Sequence, residues 1–232
     1  MTRTAPIDRI ETLLKSEGLM IRGGLAFEAN EDAPAGQGGR PARSVLLVGH
    51  AGTGYWQHFQ AWLAGQGTKP ADPLDSWSKR VIGAVAGAVG ARAVFPSDKP
   101  YLPFQQWAMR AEGLKPSPFG VLMHPQYGPW HAWRGALLFD ELLDVEPPAR
   151  VMHPCDACSE KPCLTVCPVG AIRAGGLDVA ACVSHVDGPD GASCRDRGCL
   201  ARNVCPAGVD HRYRADAQAF HQAAFLAGNR RH

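Results

Sequence analysis

A stretch of the second half of this 232-residue chain, which holds all of its cysteines, has no aromatic residues from which to build a core. Between Val151 and Arg212 there is no Phe, Tyr or Trp, whereas all six Trp residues precede residue 150. The N-terminal part can therefore bury a conventional hydrophobic core, and the C-terminal part needs another source of stability. Metal binding is the usual source, because bonds to the ligands supply folding free energy directly.

The sequence also lacks the features of an exported or membrane-bound protein. Its first residues contain no apolar segment of the kind found in signal peptides. The most apolar stretch, residues 81–94, includes Arg92 and is shorter than the ~20 residues that a membrane-spanning helix needs. A net charge of +2 is too small to indicate a nucleic-acid partner. We therefore expect a cytoplasmic protein without membrane association, in which thiols stay reduced and can bind metal.

The eight cysteines are the most informative residues that are present. All of them lie between Cys155 and Cys205, and Cys167 and Cys205 each stand directly before a proline. Eight is the number that two four-cysteine clusters require, and a run that ends in Cys-Pro is typical of bacterial ferredoxins. The sequence therefore predicts two [4Fe–4S] clusters. The predicted ligands are Cys155, Cys158, Cys163, Cys167, Cys182, Cys194, Cys199 and Cys205.

The Cys-Pro rule predicts how these ligands are shared. In two-cluster ferredoxins the cysteine before proline binds the other cluster. Applied to this chain, the first cluster takes Cys155, Cys158, Cys163 and Cys205, and the second takes Cys167, Cys182, Cys194 and Cys199. Four residues separate Cys158 from Cys163 where ferredoxins have two. The longer loops leave open which cysteines share a cluster, but they do not argue against the presence of clusters.

Other uses of the cysteines stay open at this point. Two zinc ions could each take four thiolates, and Cys155-x-x-Cys158 is a legitimate zinc half-site. The sequence has no second close Cys-x-x-Cys pair, and a following proline is not a zinc feature. Disulfides would require a secreted protein. His153, beside the first ligand, either tunes a cluster from outside the ligand shell or is an incidental surface residue.

Periodicity and short apolar runs predict a mixed α/β structure before the cysteines. The predicted helices are 7–15, 55–63, 77–89 and 104–112, with a final helix at 215–226. The predicted strands are 20–27, 44–49, 93–95, 119–123 and 134–139. A Pro-rich linker at 146–149 divides the chain into an α/β domain, residues 1–147, and a cluster domain with a C-terminal helix, residues 148–232.

Two further motifs carry a resemblance to a known family. Residues 122–130 read Leu-Met-His-Pro-Gln-Tyr-Gly-Pro-Trp, similar to the family's Leu-His-Pro-x-Tyr-Gly-Ser-Trp stretch. Cys182-Val-Ser-His is similar to its Cys-Ile-Ser-Tyr element. With the order of the two Cys-Pro groups, these motifs resemble the epoxyqueuosine reductases and, more distantly, the reductive dehalogenases, over roughly residues 80–210.

The resemblance implies an α+β fold: a nitroreductase-like, B12-processing-like domain followed by a two-cluster ferredoxin-like domain. It also implies an oxidoreductase in which the clusters deliver electrons to cobalamin or another acceptor in the N-terminal domain. An electron-donor protein of the ferredoxin or flavodoxin type is the expected partner. The family's C-terminal helical repeats, which help to hold tRNA, have no counterpart before His232, so a tRNA substrate is not expected.

The resemblance also points to three candidate site residues outside the cysteines. The family's catalytic Asp stands three residues before a proline. Ser97 has that place before Pro100, so Asp98 would take the proton-donor role after a one-residue shift. Asp98 could equally cap the helix near Phe104 or be a plain loop acid. His124 and Tyr127 either bind the cofactor or cap the turn on which they lie.

Two functions therefore stay open from the sequence. The first is a reductase whose acceptor binds in the N-terminal domain, which predicts a sizeable apolar pocket facing a cluster. The second is a ferredoxin-type carrier between protein partners with no substrate of its own, which predicts clusters near the surface and no deep cavity. The ~150 residues beyond a bare ferredoxin favour the reductase.

Overall fold

The structure is a computed structural model that describes residues 5–148 and 152–230. The chain divides into two compact units: unit one is Met1–Gly113 with Ala132–Arg150, and unit two is Leu114–His131 with Val151–His232. The inserted segment 114–131 thus packs with the cysteine region, although the predicted linker at 146–149 assigns it to the N-terminal domain. The described residues do not include residues 1–4, on which the expectation of no signal peptide partly rests. They also do not include residue 149 of the predicted linker.

Helices and strands occur in both units and are numbered in chain order. The helices are α1 (Ala5–Lys15), α2 (Trp56–Ala64), α3 (Pro73–Val89), α4 (Phe104–Glu112), α5 (Pro154–Ala157), α6 (Val179–Asp187), α7 (Ala192–Arg197), α8 (Leu200–Asn203) and α9 (Ala215–Asn229). The strands are β1 (Met20–Ala26), β2 (Ser44–Ala51), β3 (Arg92–Val94), β4 (Lys115–Pro116), β5 (Leu122–Met123), β6 (His131–Phe139), β7 (Ile172–Arg173) and β8 (Gly176–Leu177).

Unit one is built on a four-stranded sheet in the order β1-β2-β6-β3. β1 pairs with β2 and β3 pairs with β6, both antiparallel. β2 is buried from Ser44 to His50, as its continuous apolar run predicts. α3 begins at Pro73, four residues before the predicted start at Trp77, because proline at the first helical position is preorganised for the helix.

Unit two consists of short helices and two small two-stranded sheets, β4-β5 and β7-β8. The predicted strand 119–123 is wrong in its first half, since only Leu122 and Met123 are extended. The N–H of Gly120 donates to the carbonyl of Ser117, and Gly120 has φ +82°. This closes a turn that returns the chain from β4 to β5, and a left-handed residue cannot continue a strand.

Cysteines form a large part of the apolar interior of unit two. One hydrophobic cluster joins Cys163 and Cys205 to Phe119, Met123 and Ile172. A second, smaller one joins Cys194 to Val186 and Leu226. Residues 151–212 have no Phe, Tyr or Trp of their own. Phe119, in the inserted segment 114–131, supplies an aromatic side chain to this interior. In the described parts of the chain, no helix has both the length and the apolar character needed to span a bilayer.

Candidate metal centres

Four thiols line one cavity in unit two, which we call site one. It is lined by Cys155 on α5, Cys158 directly after that helix, Cys163 in a short 3₁₀ turn, and Cys205 before Pro206. The remaining walls are mostly apolar and include Phe119 and Met123. Site one thus contains three cysteines from the first run and the last cysteine of the second group.

The other four thiols line a separate cavity, which we call site two. Cys182 lies on α6, Cys194 on α7, Cys199 directly before α8, and Cys167 in the loop before Pro168. The structure therefore brings the eight cysteines together in the two groups of four that the Cys-Pro rule predicts. Their role as cluster ligands stays a prediction, because grouping in space is not itself metal binding.

The two sites are neighbours within one hydrophobic cluster. Cys163 and Cys205 of site one are buried in it, and Cys167 and Cys199 of site two pack against it. Ala201 lies in the same cluster, on the short helix between Cys199 and Cys205. A single apolar region therefore separates the two sites, as short-range electron transfer between them would require.

Burial is the main cause of a raised pKa at five of the eight thiols, namely Cys155, Cys163, Cys182, Cys199 and Cys205. Burial raises the pKa of Cys182 to about 11, and the neighbouring thiols of Cys199, Cys167 and Cys194 add to this. Burial is also the main cause of the raised pKa of Cys155, where the thiols of Cys205, Cys163 and Cys158 contribute and the Lys161 ammonium opposes. Thiolates crowded in an apolar cavity repel one another, so a bound cation would favour them strongly.

Backbone N–H groups point at several of these sulfur atoms. The pKa of Cys199 is raised by burial, and the N–H groups of Arg202 and Ala201 partly counter this. The N–H of Ala207 has the same effect on Cys205, whose pKa burial also raises. Donors directed at sulfur stabilise a negatively charged thiolate or sulfide. The donor set, four thiols with backbone N–H groups in an apolar wall, therefore fits an iron–sulfur cluster at each site.

All eight cysteines are free of disulfide bonds. Across residues 5–148 and 152–230, no group of three or more His, Cys, Asp or Glu side chains is arranged to hold a metal ion directly. This finding confirms neither iron–sulfur binding nor zinc binding, so both stay predictions. Each thiolate of a [4Fe–4S] cluster binds a different iron, so the four sulfur atoms need not converge on one point.

His124 and Tyr127 form part of a tight turn in the inserted segment. Nδ1 of His124 accepts hydrogen bonds from the backbone N–H groups of Gln126 and Tyr127, at 3.1 and 3.2 Å. The two rings stack with their centroids 4.1 Å apart. This geometry gives His124 the capping role that the sequence analysis held open, and it places the ring proton on Nε2. Cofactor binding by either residue stays a prediction.

This turn packs directly against the chain that follows Cys205. Both Gly128, with φ +55°, and Gly208, with φ +67°, have left-handed backbones. A Cβ on Gly128 would lie 2.1 Å from the Ala207 carbonyl oxygen, and one on Gly208 would lie 2.2 Å from the Tyr127 carbonyl. Only glycine allows the two backbones to approach this closely. The motif at residues 122–130 therefore supports the loop that carries the last cysteine.

Arg202 is a residue of this region that no sequence motif indicated. Its guanidinium lies over the rings of Trp130 and Tyr213, and one terminal nitrogen donates to the Pro129 carbonyl oxygen. The position of Arg202 between Cys199 and Cys205 was the available signal, but nothing in the spacing indicated which aromatic residues it meets. It fixes the helix between these two cysteines to the inserted segment.

The remaining predicted residues have ordinary partners. Asp98 is half-exposed in unit one and accepts from Lys79 Nζ at 2.5 Å. It does not cap α4, where Pro103 occupies the capping position. Its proposed role as proton donor stays a prediction. His153 Nε2 lies 3.1 Å from the Lys115 carbonyl oxygen, so that nitrogen has a backbone partner, and His153 is not part of the wall of site one.

A third and larger cavity lies beside site two. It measures about 190 Å³, against about 30 Å³ for each four-cysteine cavity. Cys182 and Cys199 form part of its wall, with apolar side chains that include Val121 and Phe225, and with Arg202. Its volume is below the ~300–1,000 Å³ typical of ligand pockets. It is therefore sized for a small molecule or part of one, not for a whole corrinoid.

Comparison with known proteins supports the fold. No family model and no curated protein matches the sequence. The structure is similar to a crystal structure of epoxyqueuosine reductase with an epoxyqueuosine-modified tRNA-Tyr stem loop, with a TM-score of 0.51 and 15% identity over 90% of this chain and 66% of that one. It is also similar to the Caenorhabditis elegans B12-trafficking protein CblC, a human MMACHC homologue, with a TM-score of 0.55 and 13% identity over 93% and 90% of the two chains.

These likenesses confirm the predicted resemblance and the predicted α+β fold with its nitroreductase-like, B12-processing-like domain. The chain spans about two thirds of the reductase chain and most of the length of CblC. Identity this low carries the fold and not the activity. The two-cluster ferredoxin-like character of the cysteine region stays a prediction.

Proposed function

We propose that the protein is an iron–sulfur redox protein that passes electrons through two [4Fe–4S] clusters to an acceptor, in the manner of a reductase. The observation that carries this proposal is the division of the eight cysteines between two adjacent cavities, four to each. The exchange of Cys167 and Cys205 between the groups is the arrangement that two-cluster ferredoxins use. When bound, the clusters supply one-electron transfer at potentials set by their surroundings.

The residues of unit two would hold and shield the clusters. The eight thiolates bind iron, and backbone N–H groups such as those of Ala201 and Ala207 stabilise negative charge on sulfur. Phe119 and Met123 exclude water from site one. The shared hydrophobic cluster between the sites keeps the two redox centres close, so an electron that enters at one site can leave at the other.

Cobalamin is the acceptor that we propose for unit one. The support is the likeness of fold to a B12-trafficking protein over nearly the whole chain and to an epoxyqueuosine reductase. The 190 Å³ cavity beside Cys182 and Cys199 is too small for a corrinoid, but it would let a small acceptor approach site two. The protein's share of the chemistry is to position the acceptor and to keep water away from it.

The second candidate is an electron carrier without a substrate. Cys155, Cys158, Cys167, Cys182 and Cys199 are only half-buried, which favours a short route from a docked protein to either site. The third cavity and the large unit one favour the reductase instead. In both functions a ferredoxin or flavodoxin would supply the electrons, because such donors deliver one electron at a time at low potential.

Anaerobic purification with iron and sulfide analysis tests the proposal first. We expect about eight iron and eight sulfide atoms per chain and EPR signals of two interacting [4Fe–4S] clusters on reduction. A folded, colourless protein that contains only zinc would contradict the proposal. Dithionite-reduced ferredoxin and flavodoxin then serve as donors, and the rate of cluster reduction identifies the better partner.

Titration with hydroxocobalamin separates the two candidates. We expect a change in the corrin absorption spectrum on binding and reduction of the bound corrinoid by the reduced protein. The matched control is the Cys155→Ser/Cys167→Ser variant, which should keep corrinoid binding in unit one and lose reduction. Absence of binding for several corrinoids, in a protein with full iron content, favours the carrier. An epoxyqueuosine-modified stem loop is a further ligand to be titrated in the same assay.

A further inference from the structure

His185 lies in the wall of site two, one turn along α6 from Cys182. Residues three apart on a helix share a face, so the imidazole and the Cys182 thiol are directed to the same side. The Nε2 atom of His185 is buried, and it has no hydrogen-bond partner among the residues that the structure describes. A buried ring nitrogen without a partner is destabilising, because it has lost its water and gained nothing in exchange.

The backbone that carries His185 is held firmly. Arg195 donates from its guanidinium to the carbonyl oxygens of Val186 and Gly188, the latter at 2.6 Å, and so caps the end of α6. Gly191 packs against the same turn, where a Cβ would lie 2.2 Å from the His185 carbonyl oxygen. Arg195 directly follows Cys194 on α7. The backbone segments that carry His185, Cys182 and Cys194 are therefore fixed relative to one another.

The cavity itself supplies the acceptors that Nε2 lacks. Site two is lined by four thiols and apolar groups, and a cluster bound there presents thiolate and sulfide sulfur atoms. We propose that His185 donates a hydrogen bond from Nε2–H to a sulfur atom of the cluster at site two and raises its reduction potential. This inference rests on the proposed function, because it requires a cluster at that site.

The direction of the effect follows from charge. Reduction adds an electron to the cluster, and a hydrogen bond to sulfur stabilises the more negative state. His153 offers a contrast, since its Nε2 is directed to the Lys115 carbonyl oxygen. In the family that Cys182-Val-Ser-His resembles, Tyr stands in the place of His185. The imidazole acts as a tuning residue rather than as a ligand, since four thiols already line site two.

Redox titration of two variants tests the proposal. His185→Leu removes the donor, and His185→Gln keeps an N–H group of similar reach. At the midpoint of the wild-type site-two cluster and at one fixed pH, we expect His185→Leu to lower the ratio of reduced to oxidised cluster about ten-fold, or ~59 mV for a one-electron couple. His185→Gln should restore much of this shift. The site-one cluster, resolved in the same EPR spectra, serves as the internal control and should not move.

Labelling of the wild-type protein with ¹⁵N-histidine gives a test whose main measurement does not depend on a variant. We expect a weak nitrogen hyperfine coupling on the signal of one cluster, and His185→Gln should remove it. Eight iron atoms per chain with no such coupling, or an unchanged potential in loaded His185→Leu, overturns the inference and leaves the proposed function standing. A strong coupling typical of a direct iron–nitrogen bond overturns it as well. A protein without iron overturns the proposed function instead.

Discussion

The guanidinium carbon of Arg202 lies 4.5 Å from the ring centroid of Trp130 and 4.7 Å from that of Tyr213. The two rings meet edge to face, 5.4 Å apart, and the cation lies against both. Trp130 belongs to the inserted segment, and Arg202 to the short helix between Cys199 and Cys205. This contact therefore fixes cysteines of both sites to a part of the chain that contains no cysteine.

Arg202→Lys should destabilise unit two. A lysine ammonium cannot lie flat against two rings and donate to the Pro129 carbonyl in the same geometry. We expect a loss of about 1–2 kcal/mol, which corresponds to a Tm lower by roughly 2–8 °C in a chain of this size. Calorimetry on the loaded protein measures it. Arg212→Lys is the control, since Arg212 lies 6.0 Å from the Trp130 centroid, and an equal fall in both variants would contradict this account.

Gly208→Ala should disrupt site one. The alanine would have to adopt a left-handed backbone, and its Cβ would overlap the Tyr127 carbonyl. We therefore expect the free energy of unfolding to fall by about 2–5 kcal/mol. Gly90→Ala is a matched control, because Gly90 has φ +68° and open space around its Cβ position. Its cost should be the backbone strain alone, roughly 1–2 kcal/mol. Iron content and Tm of both variants decide the comparison, and equal losses would show that the close packing is unimportant.

Paired serine substitutions test the partition of the ligands. Cys155→Ser/Cys205→Ser removes two ligands from site one, so about four iron atoms per chain should remain. Cys155→Ser/Cys167→Ser removes one ligand from each site, and we expect nearly all the iron to be lost. Iron analysis with EPR distinguishes the two results. If the first pair loses all iron and the second keeps half, the cysteines are shared between the sites in another way.

Cys182 should react slowly with alkylating agents in cluster-free protein. Burial raises its pKa to about 11, so at pH 8 its thiolate fraction is roughly 10⁻³, against ~0.1 or more for an ordinary cysteine. The folded pKa is above the unfolded one, so the thiol stays protonated as the pH rises past 9. The rate should therefore increase about ten-fold per pH unit up to pH 11. Mass spectrometry after timed iodoacetamide treatment, with glutathione as the reference thiol, measures the rate; a plateau near pH 9 would contradict the raised pKa.

Local patterns in the sequence predicted most of unit one. The apolar periodicity of α1 and α4 and the continuous apolar run of β2 indicated these elements, because each buries one face or both against the sheet. The first half of the predicted strand 119–123 was wrong. Phe119 lies in a turn closed by Gly120, and the apolar character of this stretch serves the wall of site one instead.

The sequence by itself determined the set of eight cysteines, their Cys-Pro grouping and the order of the main helices and strands of unit one, because each depends on residue type and local spacing. Only the tertiary structure decided that residues 114–131 pack with the cysteines and that Arg202 lies over two aromatic rings. It also decided that His185 lies in the wall of site two, with no hydrogen-bond partner for Nε2 among the described residues. These relationships join residues that are far apart in the chain or depend on the direction of one side chain. They are fixed by packing in three dimensions, which no local pattern records.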